Sequence, residues 1–431
     1  MRFFSSLLLA APLAAAVLLD RNGKIVYDGY KVFRVNTPEE GIAALDAQIA
    51  ELEGIDVHRH ADHFDVAIPP ANLEAFGALN LDAQVLSEDL GELIAGEGEI
   101  AEYEGTTSMR LSSEDGEVSA AALPSLSWFS AYHAYDAHLT FLRDLQGAFP
   151  SNSEIITAGT SVQGRTITGI HLWGSGGKGS KPAIYFNGNV HAREWITSKV
   201  AEYLAYQLVV NYNNDTAVKA VLDKYDFYIL PIVNPDGFVY TQTTDRLWRK
   251  NRQTRSGTSA VGTDINRNWP YQWVGSGSST SPSSETYRGV AAGDTPENTG
   301  IRKFGDTLAA GKGIKLYIDW HSYGQYILFP YGYSCSAQVS NYSKQQSLAQ
   351  SVASQIRSLY SKSFTYGPIC TTLYAANGGS TDYMQDVAKT ELAWTIELRD
   401  TGSYGFNLPA SQILQSGQEQ WKGQLWLWQN M

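Results

Sequence analysis

The chain has 431 residues, 43% hydrophobic and 18% charged, with a formal net charge of −12 at pH 7. This length exceeds one ordinary domain and suits two or three. The composition is that of a globular protein, and the charge is unevenly spread. Residues 17–118 hold 22 Asp and Glu against 6 Lys and Arg, a balance of −16, whereas residues 119–431 hold 22 against 25, a balance of +3. An acidic N-terminal part joined to a mildly basic remainder predicts two units that attract each other and excludes a nucleic-acid binder.

Arg2 precedes an apolar run to Val17 with Ala14-Ala15-Ala16 near its end, which predicts a secretory signal peptide over residues 1–16, too short for a membrane span. No later segment is apolar enough to cross a bilayer, so a secreted, extracellular chain is expected. Residues 17–95 read as a small domain. A strand and turn over 24–35 lead to an amphipathic helix over 38–52 opened by Pro38. Strands at 55–58 and 64–68, a helix at 70–79 and a strand at 81–87 complete an open α/β sandwich with an antiparallel sheet. His58-Arg59-His60-Ala61-Asp62-His63 reads as a polar turn between strands. A metal or pH-switch reading competes, in which protonation near pH 6 weakens docking of this unit. Residues 96–120 are Gly-, Glu- and Ser-rich, which predicts an exposed linker open to proteases, with Arg110 as a trypsin-like cut.

From Trp128 a long α/β pattern follows, giving a domain over 121–431. Strands are predicted at 167–173, 183–186, 225–233, 314–320 and 391–396, and helices at 135–145, 195–212, 344–360 and 410–429. Residues 275–284 read as a surface loop. Two cysteines in a chain bound for an oxidising compartment predict a Cys335–Cys370 disulfide, with two buried thiols as the alternative. Asn214 and Asn341 open acceptor sequons for glycosylation.

The chemistry centres on His191-Ala192-Arg193-Glu194, placed after the apolar strand Ala183-Ile184-Tyr185-Phe186 and before a helix. An imidazole and a carboxylate three residues apart can grip one cation, and a hydrolytic Zn²⁺ takes three protein ligands and leaves one position open. His321, ending the run that starts at Ile314, is the candidate third ligand. Taken alone, a helix-entry carboxylate and a capping histidine explain the pair as well.

Further motifs follow in order: Arg246-Leu247-Trp248-Arg249-Lys250-Asn251, Asp264-Ile265-Asn266-Arg267-Asn268-Trp269, His321-Ser322-Tyr323, Thr371-Thr372-Leu373-Tyr374 with Gly378-Gly379-Ser380, and Glu397-Leu398-Arg399-Asp400. In that order the chain resembles the zinc metallocarboxypeptidases of the pancreatic carboxypeptidase A and B type, over residues 128–431 for the enzyme and 20–95 for its pro-domain. The resemblance implies an α/β fold with a central mixed eight-stranded sheet flanked by helices, one Zn²⁺ per chain, and a monomer made as a zymogen. It implies an inhibitory pro-domain over 17–95, an activation linker over 96–120 and an activating endoprotease.

It makes His191, Glu194 and His321 the zinc ligands and Glu397 the general base, which takes a proton from the attacking water and returns it to the leaving amine. The bland alternative for Glu397 is a buried partner of Arg399. Arg249 matches the residue that polarises the scissile carbonyl; otherwise it reads as part of a solvated basic run with Arg246, Lys250 and Arg252. Asn266 and Arg267 match the pair that binds the terminal carboxylate of a peptide, the reason for exopeptidase action. Tyr374 matches a tyrosine that closes over substrate, Arg193 a secondary substrate contact with Ser322 and Tyr323 beside the motif, and Asp264 the carboxylate that orients the first histidine.

Leu328, Gly332, Ile369, Leu373, Ala376 and Thr395 match walls of the side-chain pocket and are apolar or small. Thr381 stands where the basic-specific branch has an Asp and the aromatic-preferring branch an apolar residue. Aromatic and large aliphatic C-terminal residues are therefore the expected substrates, with mixed or basic specificity as the alternative. Asp319 shares the strand face of His321 and is a candidate for the pocket floor. Ala260 and Ser283 stand where pancreatic members place a disulfide, and Cys335–Cys370 matches a second bridge found in some members. Two rivals remain: a catalytically decayed member with a binding role, and another zinc amidohydrolase of the same fold, such as a deacylase or peptidoglycan amidase.

Overall fold

The computed structural model describes residues 18–37, 45, 48–60, 62–106 and 123–431. The signal-peptide reading of residues 1–16, most of the 38–52 helix and Arg110 lie outside them. No helix among the described residues is long and apolar enough to cross a membrane.

The N-terminal unit carries β1 (Lys31–Asn36), β2 (Ile55–Arg59), β3 (His63–Ile68), α1 (Leu73–Ala78), β4 (Ala83–Ser87) and α2 (Leu90–Gly96). Its sheet has the order β2-β3-β1-β4, and every neighbouring pair is antiparallel. Asp89 caps α2 by accepting from Gly91 N and Glu92 N. Over residues 96–106, where the sequence reads as exposed linker, the chain packs down. Glu97 is buried against Arg246, β5 (Ile100–Ala101) pairs in parallel with β6 (Tyr132–His133), and Tyr103 and the Thr106 amide both bond Asp144. The Glu-rich composition hides these contacts because each acidic or polar group finds a distant partner.

The larger unit runs α3 (Tyr135–Ala148), β7 (Ser153–Thr160), β8 (Thr166–Leu172), β9 (Ala183–Gly188), α4 (Trp195–Asn211), α5 (Thr216–Lys224), β10 (Asp226–Leu230), α6 (Pro235–Thr243), α7 (Pro296–Ala310), β11 (Ile314–Ser322), β12 (Tyr326–Phe329), α8 (Tyr342–Tyr360), β13 (Thr365–Pro368), α9 (Ile369–Thr372), α10 (Ser380–Asp386), β14 (Leu392–Leu398) and α11 (Ile413–Asn430). The mixed eight-stranded sheet has the order β13-β12-β14-β11-β9-β10-β8-β7. Its middle strands β14, β11, β9 and β10 are parallel. One face packs Phe186, Trp320, Trp394 and Trp428 with helices α3, α4 and α11; the other packs Tyr185, Tyr317, Ile301 and Met384 with α7 and α10. Every strand and helix expected beyond residue 128 is present with shifted ends. The sequence reading omitted β6, β7, β12, β13, the 15-residue helix α7 and the shorter helices α5, α6, α9 and α10. Four-residue strands such as β12 offer too few alternations to stand out.

Cys335 and Cys370 form a disulfide, closing a loop of 35 residues. Asn214 is exposed, whereas Asn341 is half-buried, its amide donating to Glu391 O and its oxygen accepting from Gln345. Chain entropy assigns a loop of this size about 4 kcal/mol. Replacing both cysteines by serine should lower the urea unfolding free energy by about that amount; an unchanged midpoint would contradict it.

Candidate active site

Three strand ends position the site. His321 lies in β11 directly opposite Glu397 in β14, and Trp320 lies opposite Gly188 at the end of β9. Just past β9, Asn189 takes a left-handed conformation at φ 53°. Its side chain donates to Ala192 O and Glu194 O, both at 3.3 Å. This turn folds His191 and Glu194 back over the sheet, toward His321.

The three groups meet. His191 Nδ1 lies 2.7 Å from Glu194 Oε1, and His321 Nδ1 lies 3.1 Å from both His191 Nδ1 and Glu194 Oε2. All three residues are buried. Atoms bound at about 2.0–2.1 Å to a tetrahedral zinc lie roughly 3.3 Å apart, so the observed separations fit that ion. The two-nitrogen, one-oxygen donor set is that of a catalytic zinc with one position left open. Among the described residues this is the one group of His, Cys, Asp and Glu that could hold a metal.

Asp264 Oδ1 sits 3.2 Å from His191 Nε2, and its Oδ2 accepts from Arg249 Nη2 at 2.9 Å. Burial opposes ionisation of Asp264, but Arg249 and His191 hold it well below the usual carboxylate range. Burial likewise opposes charge on Arg249, and Asp264 outweighs it. Arg249 is thus a buried, paired guanidinium, which removes the solvated-run reading. Arg399 pairs with Glu419 at 2.9 Å, and Glu397 Oε2 is buried without a partner. Glu397 is therefore no partner of Arg399. Burial pushes its carboxyl up to about 8, opposed by His321 and reinforced by Glu194.

Asn266 Oδ1 accepts from Ser380 N at 2.8 Å. Arg267 is held by Gly277 O at 2.7 Å and Asn266 O at 2.9 Å, with the Tyr374 ring 5.9 Å from its Cζ. The 275–284 loop is solvent-exposed for much of its length, as expected, yet it also fixes Arg267. A Cβ on Gly277 would stand 1.7 Å from Ala375 O, so this approach needs glycine. One cavity is lined by His191, Glu194, His321, Glu397, Arg249, Asn266, Arg267, Ser322, Tyr374 and the expected walls Leu328, Gly332, Ile369, Leu373, Ala376, Thr381 and Thr395. Arg193 and Tyr323 lie outside it, at contacts with the N-terminal unit. Asp319 does not line it either, a correction to the pocket-floor expectation: its Oδ2 is occupied by Ser380 Oγ at 2.5 Å.

With this geometry, similarity to known proteins becomes specific. The zinc carboxypeptidase family profile matches residues 138–423. The chain belongs to the zinc carboxypeptidase family. It is 44% identical over 418 residues to metallocarboxypeptidase A of Arthroderma otae, covering 96% of this chain and 94% of that one. It is 37% identical over 295 residues to carboxypeptidase A2 of Mus musculus, covering 68% and 69%. The crystal structure of carboxypeptidase A from Helicoverpa armigera superposes with a TM-score of 0.77 at 28% identity, covering 92% of this chain and 96% of that one. The protein is a zinc-dependent metallocarboxypeptidase, a hydrolase.

The N-terminal unit covers the cleft. Arg193 donates to Asp56 O at 3.2 Å and Val57 O at 2.8 Å, and Tyr323 donates to Asp65 at 2.7 Å. His58 stacks on Tyr323 at 4.3 Å, His60 on His63 at 4.1 Å, and His60 faces Tyr326 at 5.8 Å. The polar-turn reading is corrected here: His58 and Arg59 lie in β2 and His63 in β3, and His58 and His60 are buried, whereas the competing reading already ties these histidines to docking. Burial is the first cause holding all three imidazoles below their ordinary value. His60, Arg193 and Arg249 add to it at His58, His63 and Arg34 at His60, and Arg34 at His63, against Asp62 and Asp65. His60 is pushed down to about 3. A depressed histidine favours docking fully above its free value of about 6.5 and progressively less below it. Docking should weaken by up to about 1.4 kcal/mol per pH unit per imidazole below that point. Release of the N-terminal unit from chain cut between residues 107 and 122, followed by gel filtration from pH 8 to 5, measures this. Replacing the three histidines by glutamine should flatten the profile.

Proposed function

We propose that the protein is a secreted exopeptidase made as a zymogen, which removes aromatic and large aliphatic residues from peptide C-termini. The observation that carries this reading is a buried guanidinium, Arg267, lining the same cavity as His191, Glu194, His321 and Glu397. Arg267 and Asn266 bind and orient a terminal carboxylate, and an internal peptide would leave that buried charge unpaired. Zinc, when bound by His191, Glu194 and His321, supplies Lewis-acid polarisation and an activated water. Arg249, already charged and locked by Asp264, stabilises negative charge developing on the scissile oxygen. Glu397 has an unpaired buried oxygen in the cavity that holds the metal ligands, placed to receive a proton and return it to the leaving amine.

The pocket supports A-type preference. Thr381 and Thr395 satisfy each other through their hydroxyls at 2.7 Å. Asp382, next to Thr381 in the lining, accepts from Gly332 N and Tyr333 N. No carboxylate stands at position 381 itself, and Leu328, Ile369 and Leu373 form an apolar wall. The coverage of Arg193 and the cleft by residues 56–58 supports the zymogen reading, with an activating endoprotease cutting beyond residue 106. Peptide substrates, one polypeptide per active unit, and no membrane or nucleic-acid partner complete the proposal.

On linker-cleaved protein, peptides ending in free Phe should be trimmed and their C-terminal amides left intact; faster release of Lys than Phe would end the A-type reading. Arg267→Ala should lower kcat/KM by about 10²–10³-fold, the roughly 3–4 kcal/mol expected when one side of a buried charge pair is lost. Equal loss on amidated substrates would remove Arg267 from carboxylate binding.

A further inference from the structure

His191 and His321 are held from behind in parallel ways. Behind His191 stands Asp264, whose charge is matched by Arg249. Behind His321 stands Asp319, with Oδ2 3.3 Å from His321 Nε2 and 2.5 Å from Ser380 Oγ. Asp319 is 1% exposed, and its Oδ1 is buried without a partner. It sits in the interior of the sheet, between Asn187 of β9 and Thr395 of β14.

We propose that Asp319 is a positioning residue for the metal: it fixes the tautomer and tilt of His321, and through Ser380 it couples that ligand to the carboxylate-binding Asn266. The argument starts from donor and acceptor roles. With Nδ1 turned to the metal, the ring proton of His321 resides on Nε2. Two groups lie near that nitrogen: Asp319 Oδ2 and, at 3.1 Å, Asn266 Nδ2. The Asn266 orientation is set by Ser380 N, which donates to its Oδ1. The amide therefore presents an NH₂ group to His321, so of these two groups Asp319, 3.3 Å away, is the one with an acceptor for the Nε2 proton.

Charge balance points the same way. Asp264 is neutralised by Arg249, so Glu194, Asp319 and the unpaired Glu397 are the carboxylates left near a divalent cation. A buried carboxylate with one oxygen unpartnered is costly by itself, and a nearby ion of charge two offsets that cost. Ser380 supplies both links from one residue, its hydroxyl to Asp319 and its amide to Asn266, at the start of α10. A shift of Asp319 is therefore transmitted to the metal ligand and to the clamp for substrate.

The inference rests on His321 being a zinc ligand, and the experiment separates the two claims. Zinc affinity of the full chain is measured by competition with a chromogenic chelator, alongside the visible spectrum of the cobalt-substituted protein. Asp319→Asn keeps the shape and removes the acceptor charge; it should weaken zinc about 10–100-fold and shift the cobalt bands. Ser380→Ala, which removes only the hydroxyl, should weaken zinc less and raise KM more than it lowers kcat. Thermal unfolding of the metal-free forms checks folding, and Ser380→Ala carries the test should Asp319→Asn fail to fold. Unchanged affinity and cobalt spectrum in whichever of the two variants folds, with zinc lost from His321→Ala, would overturn the positioning role alone. Zinc retained at full affinity by His321→Ala would overturn the ligand assignment beneath it. A changed preference for Lys over Phe in Asp319→Asn at unchanged zinc affinity would return Asp319 to the pocket and also overturn the proposal.

Discussion

β11 is hydrogen-bonded in parallel to β9 on one side and β14 on the other, and this register is what every functional group depends on. In open α/β sheets, sites form beyond the carboxyl ends of such strands. Here the ends of three neighbouring strands deliver His191 and Glu194, then His321, then Glu397. Along β11, Leu316, Ile318 and Trp320 enter one core and Tyr317 enters the other; along β14, Leu392, Trp394 and Ile396 enter the first and Ala393 the second. Asp319 and His321 share the face of Tyr317, and Thr395 and Glu397 share that of Ala393. A slip of one residue would turn each of them into the wrong core. The large indoles of Trp320 and Trp394 therefore hold the register that the small polar groups need.

The same packing creates an electrostatic problem. Glu194, Asp264, Asp319 and Glu397 are all buried near one point, with Arg249 and Arg267 as the buried cations of the cavity region. Unpaired, such charges cost several kcal/mol each. Arg249 resolves Asp264, and burial leaves Glu397 free to take a proton. The remaining carboxylates are resolved when a divalent ion arrives, so metal binding and local stability are one quantity in this site.

The parts of this arrangement that were legible in the sequence are those with a local cause. A strand that breaks into His191-Ala192-Arg193-Glu194 states both the fold at that point and the chemistry. Long apolar runs such as 314–320 fix central strands with few competing readings. Contacts closed by distant residues were not legible. Alternation correctly put Asp319 on the face of His321, yet it could not show that Ser380 arrives from α10 to occupy its oxygen. Gly277 looked like one glycine in a bland loop because its reason lies in Ala375, almost a hundred residues away. Residues 96–106 looked like linker because Glu97 and Tyr103 take their partners, Arg246 and Asp144, from the far unit.

Under the zymogen reading, an exopeptidase can be silenced by neutralising the guanidinium that grips the terminal carboxylate, or by blocking the path of the rest of the chain. The contacts made by the acidic N-terminal unit favour the second route. Its carboxylates go elsewhere: Asp65 to Arg34 and Tyr323, Asp56 to Arg59, Glu97 to Arg246. What crosses the cleft carries no carboxylate into it: the carbonyls of Asp56 and Val57 on Arg193, and the His58 ring against Tyr323. Arg267 keeps its bonds to Gly277 and Asn266 and meets no carboxylate of the N-terminal unit among the described residues. Among the described residues the Glu97–Arg246 ion pair and the Asp65–Tyr323 hydrogen bond hold this part of the chain to the larger unit, while steric coverage by one strand end closes the cleft and leaves Arg267 and its partners intact beneath it.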